Sequence, residues 1–379
     1  MKVKATYVTL ARRVLLHGGH PEELHRKELA MNTMLKSAAL AALLSATGAA
    51  AMAQEVTLRF QHFVSPKSAN PTHFMQPWAD KIEAESNGRI KVELYPAMQL
   101  GGKATAQYDL IRDGVIDGGW VIPGYQPGRF PEAEAMELPL MTTKSGEEAS
   151  KAAWIFTQKH LMDDFRDVHV IAAHMHGPGL VHKTGAGIAE VEDFEGLKLR
   201  GPSRPATLLL EKLGANPVGM PVPAFPEAIA KGVVDGGVIT WEMSPSLKLD
   251  ELADSHTDIS GDRSLYNLYF IWAMNKAVYE GLPADLRAVI DANSGLAASA
   301  WAGRAHDTGD VTGREAMAAS GNEIAQIGEA ETARIAALGD EVISDWVVEM
   351  TAKGLDGQML VDDARAAVQI TVGSEAPSN

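Results

Sequence analysis

No cysteine occurs anywhere in the 379 residues, which rules out a disulfide framework, a thiolate nucleophile and a thiolate metal site. Aromatic residues are sparse, at 6%, so each tryptophan weighs heavily in any account of a core or a site. Basic residues are outnumbered: 34 Lys and Arg face 49 Asp and Glu, for a formal charge of −15. That balance argues against nucleic acid as a partner and against adhesion to an anionic membrane. The compact signatures of catalysis are missing too. There is no Gly-x-Ser-x-Gly elbow and no His-Glu-x-x-His helix, and Gly236-Gly237 lacks the Lys-Ser/Thr of a phosphate loop. His174 and His176, two residues apart, would share a strand face, but no carboxylate stands at ligand spacing, which favours packed or hinge histidines over a metal. Asp117 and Asp235 each sit between strand and glycine, where a structural acid fits better than a catalytic pair. No cofactor and no metal is expected.

What is present begins with a leader. Lys36, the small apolar run Ala38–Ala51 and Ala51-Met52-Ala53 before Gln54 have the three regions of a secretory signal peptide. The run is too short and alanine-rich for a membrane span. Residues 1–30, with Arg12, Arg13, Arg26 and Lys27, fit a start codon placed too far upstream, or else a long charged n-region. Removing residues 1–53 takes away 7 basic and 3 acidic side chains and leaves 326 residues with 27 against 46, a balance of −19. That length suits two domains sharing one architecture. Export without cysteine fits a soluble bacterial periplasmic protein held by its core.

Along the expected mature chain, Val56–Phe60 alternates as a strand, and Phe74, Trp78 and Ile82 recur as a helical stripe that stops at Ser86-Asn87-Gly88. Ile90, Val92 and Leu94 give a second strand, a strand–helix–strand order that suits a parallel sheet. Helices are expected at 107–114, 147–161, 206–213 and 225–231, and strands at 115–121, 168–173 and 266–273. Ala292–Met317 reads as an alanine-rich helix interrupted at Gly303, Gly309 and Gly313, and 323–353 as one further helix with Gly328 inside it. The residues from Val372 onward suggest a loose tail. One internal echo stands out: Ile111-Arg-Asp-Gly-Val-Ile-Asp-Gly-Gly119 against Ile229-Ala-Lys-Gly-Val-Val-Asp-Gly-Gly237. It suggests two similarly built lobes; chance is the alternative, since helix–Gly–strand junctions are common.

The chemistry gathers at Gly196-Leu-Lys-Leu-Arg-Gly-Pro-Ser-Arg204. Leu197 and Leu199 alternate as a short strand, Ser203 is placed to cap the next helix, and Pro205 to begin it. Arg200 then ends a strand beside free helix N–H groups, a seat for a carboxylate. The alternative is that Arg200 and Arg204 pair with surface acids of this acidic chain; Arg204 is expected to tune the field of the site or to pair with an acid such as Glu242. Trp120 and Trp241 each follow an echoed Asp-Gly-Gly and could flank a planar or apolar ligand, with core packing as the alternative.

As an ordered set, several segments resemble the solute-binding proteins of tripartite ATP-independent periplasmic (TRAP) transporters, dicarboxylate-binding DctP type. They are Ser86-Asn-Gly-Arg-Ile-Lys-Val-Glu-Leu-Tyr-Pro96, Leu138-Pro139-Leu140, Asp193-Phe-Glu-Gly-Leu-Lys-Leu-Arg200, Leu213-Gly-Ala-Asn-Pro-Val218 and Gly232-Val-Val-Asp-Gly236. The resemblance implies an α/β, two-lobed periplasmic binding protein fold of type II-like form, with parallel or mixed sheets flanked by helices and a ligand cleft between lobes. It places residues 55–177 plus 268–306 in lobe I, 178–267 plus 307–352 in lobe II, and a C-terminal helix and tail at 353–379. It implies capture of a small organic acid in the periplasm by a monomer and delivery to an integral-membrane TRAP permease, without turnover; the alternative is a periplasmic hydrolase or lyase on the same fold. Arg200 falls on the family's carboxylate clamp. Where many members carry asparagine, this chain has Gly237-Val-Ile-Thr-Trp-Glu242, so a simple C4-dicarboxylate pattern is not assumed, and Trp241 resembles the aromatic wall of members taking keto or aromatic acids. Ser203, Arg204, Trp120, His174 and Phe270 complete the candidate ligand-binding set.

Overall fold

In the computed structural model, residues 54–372 are described, together with the isolated Arg26; the expected leader and the tail from 373 onward lie outside them. Among the described residues the strands form two sheets. The first contains β1 (Val56–Gln61), β2 (Ile90–Tyr95), β3 (Gly118–Val121), β4 (Val168–Met175) and β10 (Tyr269–Asn275), in the order β2-β1-β3-β10-β4. The second contains β5 (Gly179–Lys183), β6 (Lys198–Gly201), β7 (Asn216–Gly219), β8 (Gly236–Thr240), β9 (Ser255–Ile259) and β11 (Glu323–Ile327), in the order β11-β9-β5-β8-β6-β7. The chain leaves the first sheet through residues 176–178, returns through 260–268, and crosses once more along the helix Leu296–Ala319 to reach β11.

Strand chemistry follows burial. On β1, Leu58 and Phe60 are fully buried while Thr57 and Arg59 face solvent, the period-2 alternation of a half-covered strand. On β10 the apolar run is continuous because both faces are covered. Phe270, Trp272 and Met274 join the core shared with Phe74, Trp78 and Ile82, and Tyr269, Ile271 and Ala273 join the opposite one with Phe156 and Trp346. Burying each such large side chain is worth about 1.5–3 kcal/mol.

The nine-residue echo is structural. Gly114 and Gly232 both take positive φ (71° and 67°) to end a helix. Ile116 and Val234 are both buried, and Val115 and Val233 both exposed. The Asp117 carboxylate accepts from Arg59 N at 2.8 Å and Asp235 from Lys198 N at 2.8 Å. Each acid thus docks its strand onto a parallel neighbour, β3 onto β1 and β8 onto β6.

Several expectations are corrected. Residues 323–353 are not one helix: Glu323–Ile327 pairs in parallel with β9, and Gly328 precedes the helix Glu329–Ala352. Helical periodicity continued into a five-residue strand that a partner edge captured. The helix Leu296–Ala319 is unbroken. Its glycines admit close neighbours: a Cβ on Gly303 would overlap the Gly146 carbonyl, and one on Gly313 the Trp241 carbonyl. The helix after β6 begins at Arg204, one residue before Pro205, and β3 begins at Gly118 rather than Val115.

Candidate functional site

Arg200 is the hinge of the site's chemistry. It lies one residue from the end of β6 and is 1% exposed. Its Nε donates to Met220 O at 3.0 Å and its Nη1 to Val238 O at 2.9 Å, so the guanidinium is fixed by backbone on either side. Nη2 is buried with no hydrogen-bond partner among the described residues. Leaving a charged donor unsatisfied away from water is costly, so its natural complement is an anion brought by a ligand.

That donor faces a small, tightly lined cavity between the lobes. The first lobe supplies an aromatic wall. Trp120 stacks on Phe63 with centroids 4.9 Å apart and planes 3° apart, and on Phe270 at 4.8 Å and 13°. Tyr125 and Leu268 extend it, Tyr266 joins from the returning segment 260–268, and Val222, Ile239 and Met243 close the other side. Polar side chains on the lining are few: Arg200, His176, Thr240, Glu242 and the phenols of Tyr125 and Tyr266. Thr240 Oγ1 and Glu242 Oε2 are also buried without a partner among the described residues. Flat apolar walls around a small polar set suit an aromatic or similarly planar acid.

Two histidines shape this cavity from different places. His176, at the first crossing, has Nδ1 2.8 Å from Gly177 O, and its Nε2 accepts from Leu268 N at 3.0 Å. Burial lowers its pKa to about 3, so it ties the two crossing segments together as a neutral ring. His174 stands behind the wall rather than on the lining. It is fully buried, and its Nε2 accepts from Trp120 Nε1 at 2.8 Å, which fixes the orientation of the indole.

Other expected contacts are redistributed. Trp241 does not line this cavity; its ring lies 5.7 Å from His182 and 5.8 Å from His256 in the second sheet's core. The cause is the long helix, which covers the Trp241 carbonyl at Gly313 and accepts Glu242 N on Asp310 Oδ1 at 2.9 Å. Glu242 is thereby given to the cavity and Trp241 to the core. Ser203 occupies the N-cap position, but its hydroxyl makes no capping bond. It packs beside Glu137, whose Oε1 accepts from Tyr269 N at 2.9 Å and whose pKa burial raises to about 8. Ser203 and Arg204 line a separate groove, not the cavity beside Arg200. Arg204 does not meet Glu242. It donates to Glu134 Oε2 at 2.6 Å and pairs with Glu349, while Glu242 Oε1 lies 3.1 Å from His306 Nδ1. Of the expected set, Arg200, Trp120 and Phe270 share one cavity.

Phe63, Tyr125, His176, Thr240, Tyr266 and His306 were not anticipated as a group. Phe63 and Tyr125 each follow a strand of the first sheet closely, and that position was the available signal. No cluster of three metal-ligating side chains occurs among the described residues.

Residues 60–349 match the bacterial extracellular solute-binding proteins of family 7, DctP. A TRAP solute-binding protein from Rhodoferax ferrireducens T118, solved with copurified benzoate, is 43% identical; the match covers 84% of this chain and 99% of that one, with a TM-score of 0.82. A marine metagenome TRAP solute-binding protein, described as specific for aromatic acid ligands and solved with 3-hydroxybenzoate, is 43% identical over the same 84% and 99%, with a TM-score of 0.82. A TRAP periplasmic protein from Bordetella bronchiseptica with bound (R)- and (S)-mandelate is 27% identical, covering 83% of this chain and 99% of that one, with a TM-score of 0.76. The hydrolase or lyase alternative falls with these matches, because the family serves transport. With the family pattern running through both lobes and enclosing the buried arginine, this chain belongs to the DctP family of extracellular solute-binding proteins, which capture organic acids for transporters and are not enzymes.

Proposed function

We propose that this protein captures an aromatic monocarboxylate between its lobes, in the periplasm, as a monomer, and hands it to the membrane permease of a TRAP transporter. The observation that carries the reading is Arg200 Nη2, an unsatisfied cationic donor at the edge of the cavity walled by Trp120, Phe63 and Phe270. The ligand's carboxylate pairs with the guanidinium, assisted by Thr240 Oγ1, and its ring lies against the aromatic wall. Benzoate and 3-hydroxybenzoate in the relatives at 43% identity support the class. Residues 55–177 plus 268–306 then act as one lobe, 178–267 plus 307–352 as the other, and 353–379 as a C-terminal helix and tail. The lobes open about the crossings at 176–178 and 260–268.

Calorimetric titration with benzoate, followed by mass spectrometry of the released acid, tests the reading. Saturable binding at a single site and recovery of unchanged benzoate are expected. Failure of benzoate and its ring-substituted analogues to bind, while an aliphatic acid does, overturns the aromatic assignment.

A further inference from the structure

Beyond the carboxylate clamp, the cavity holds a second polar group whose hydrogen bonding is incomplete. Glu242 is 6% exposed and lines the cavity. The proton arrangement behind it can be followed through the bonds. Asn70 Nδ2 donates to Ala302 O at 3.1 Å and lies 3.1 Å from His306 Nε2. That nitrogen therefore accepts, and the imidazole proton sits on Nδ1 and donates to Glu242 Oε1. Glu242 is thus held as an acceptor through Oε1, and Oε2 is left buried and unpartnered among the described residues. Asp310, which accepts from Glu242 N, has its pKa raised well above the ordinary carboxylate value by burial and by the charge of Glu242.

We infer that Glu242 is the specificity-determining residue of the cavity, accepting a hydrogen bond from a hydroxyl group on the aromatic acid and rejecting ligands with a second carboxylate. The inference rests on the aromatic-monocarboxylate reading above and adds to it the second functional group of the ligand. The lining offers one cationic donor, Arg200 Nη2, and one unpaired acid oxygen, Glu242 Oε2. A ligand satisfying both carries an anion and, elsewhere on its frame, a hydroxyl donor. A buried acceptor left unpaired penalises the unsubstituted ring, and a second carboxylate meets like charge without water to screen it. His306 and Asn70 do not line the cavity; they position the glutamate by fixing Oε1.

The test uses the full exported chain, freed of copurified acid, titrated with benzoate, the three hydroxybenzoate isomers and isophthalate. The best hydroxybenzoate is expected to bind at least about ten-fold tighter than benzoate, the gain of a hydrogen bond to a charged group. Isophthalate is expected to bind more weakly than benzoate. In Glu242→Gln the ratio of hydroxybenzoate to benzoate affinity falls toward unity and isophthalate gains relative to benzoate. Ratios within one variant remove any general loss of fold, and the wild-type series stands alone if the variant fails to fold. Equal wild-type affinities for benzoate and every hydroxybenzoate overturn the inference while leaving the aromatic-acid reading intact. So does a preference that survives unchanged in Glu242→Gln. If no aromatic acid binds, both readings fall together.

Discussion

Arg200 decides the account at the scale of single residues. Its head is fixed by Met220 and Val238 carbonyls before any ligand arrives, so little side-chain entropy is lost on binding. Arg200→Ala is expected to weaken benzoate binding by about 2–5 kcal/mol, because it strands a desolvated carboxylate. That corresponds to roughly 30- to 5000-fold in dissociation constant. Arg200→Lys should recover only part of the loss, since an ammonium cannot reach two flanking carbonyls and the ligand with one planar fork. A calorimetric series in which both variants bind as the wild type does contradicts the assignment. The sequence placed Arg200 at the end of a strand before Gly-Pro, where it lies in β6, but the residues alone left surface pairing open, and the clamp role came from the family resemblance. The choice between Trp120 and Trp241 was not legible, because it depends on which side of residues 241–242 the distant helix Leu296–Ala319 covers.

Glu137 carries a residue-scale prediction of its own. Burial raises its pKa from 4.5 to about 8 in the folded chain. The folded state therefore binds more protons than the unfolded state between those values. The stability this group contributes is complete below pH 4.5 and is lost as pH rises through about 8. Thermal melts from pH 5 to 9 should show wild-type Tm falling relative to Glu137→Gln as pH rises; parallel curves count against a buried, protonated Glu137.

Among the elements, the long helix Leu296–Ala319 is the organiser. Its N-terminal half packs against the helix Gly146–Phe156, and Gly313 lies against the segment that aims Glu242. The sequence suggested breaks at its glycines because glycine lowers helix propensity. The contacts show these positions spending propensity on close approach. Gly313→Ala is expected to force the 241–242 backbone away and to cost about 1–3 kcal/mol. Denaturant melts check the stability loss, and the hydroxybenzoate-to-benzoate ratio checks the displacement of Glu242. An alanine variant with unchanged stability contradicts the packing role. The Asp-Gly-Gly echo was readable from nine residues because each copy performs one local task, ending a helix and docking a strand. Strand β11 was not readable, since its five residues become a strand only by pairing with β9.

For the whole molecule, the question is what holds the lobes together around the cavity. Contacts join the lobes both on the cavity lining and away from it. Tyr125 Oη accepts from Val222 N at 2.9 Å, and Arg204 reaches Glu134, which also accepts from Trp346 Nε1 at 2.9 Å. Two-lobed organisation was legible from chain length and the echo, whereas the contacts that close it join residues 70 or more positions apart. Arg204→Ala is expected to cost about 1 kcal/mol of binding through easier opening, seen by stopped flow as a several-fold faster dissociation with little change in association. A slower association with unchanged dissociation argues against a latch. The central claim is met most directly by a crystal structure of the protein with a bound hydroxybenzoate. The account predicts the carboxylate within hydrogen-bond distance of Arg200 Nη2 and the ring against Trp120. A carboxylate bound at Arg204 or at the Ser203 helix end, with Arg200 Nη2 still unpaired, would contradict it.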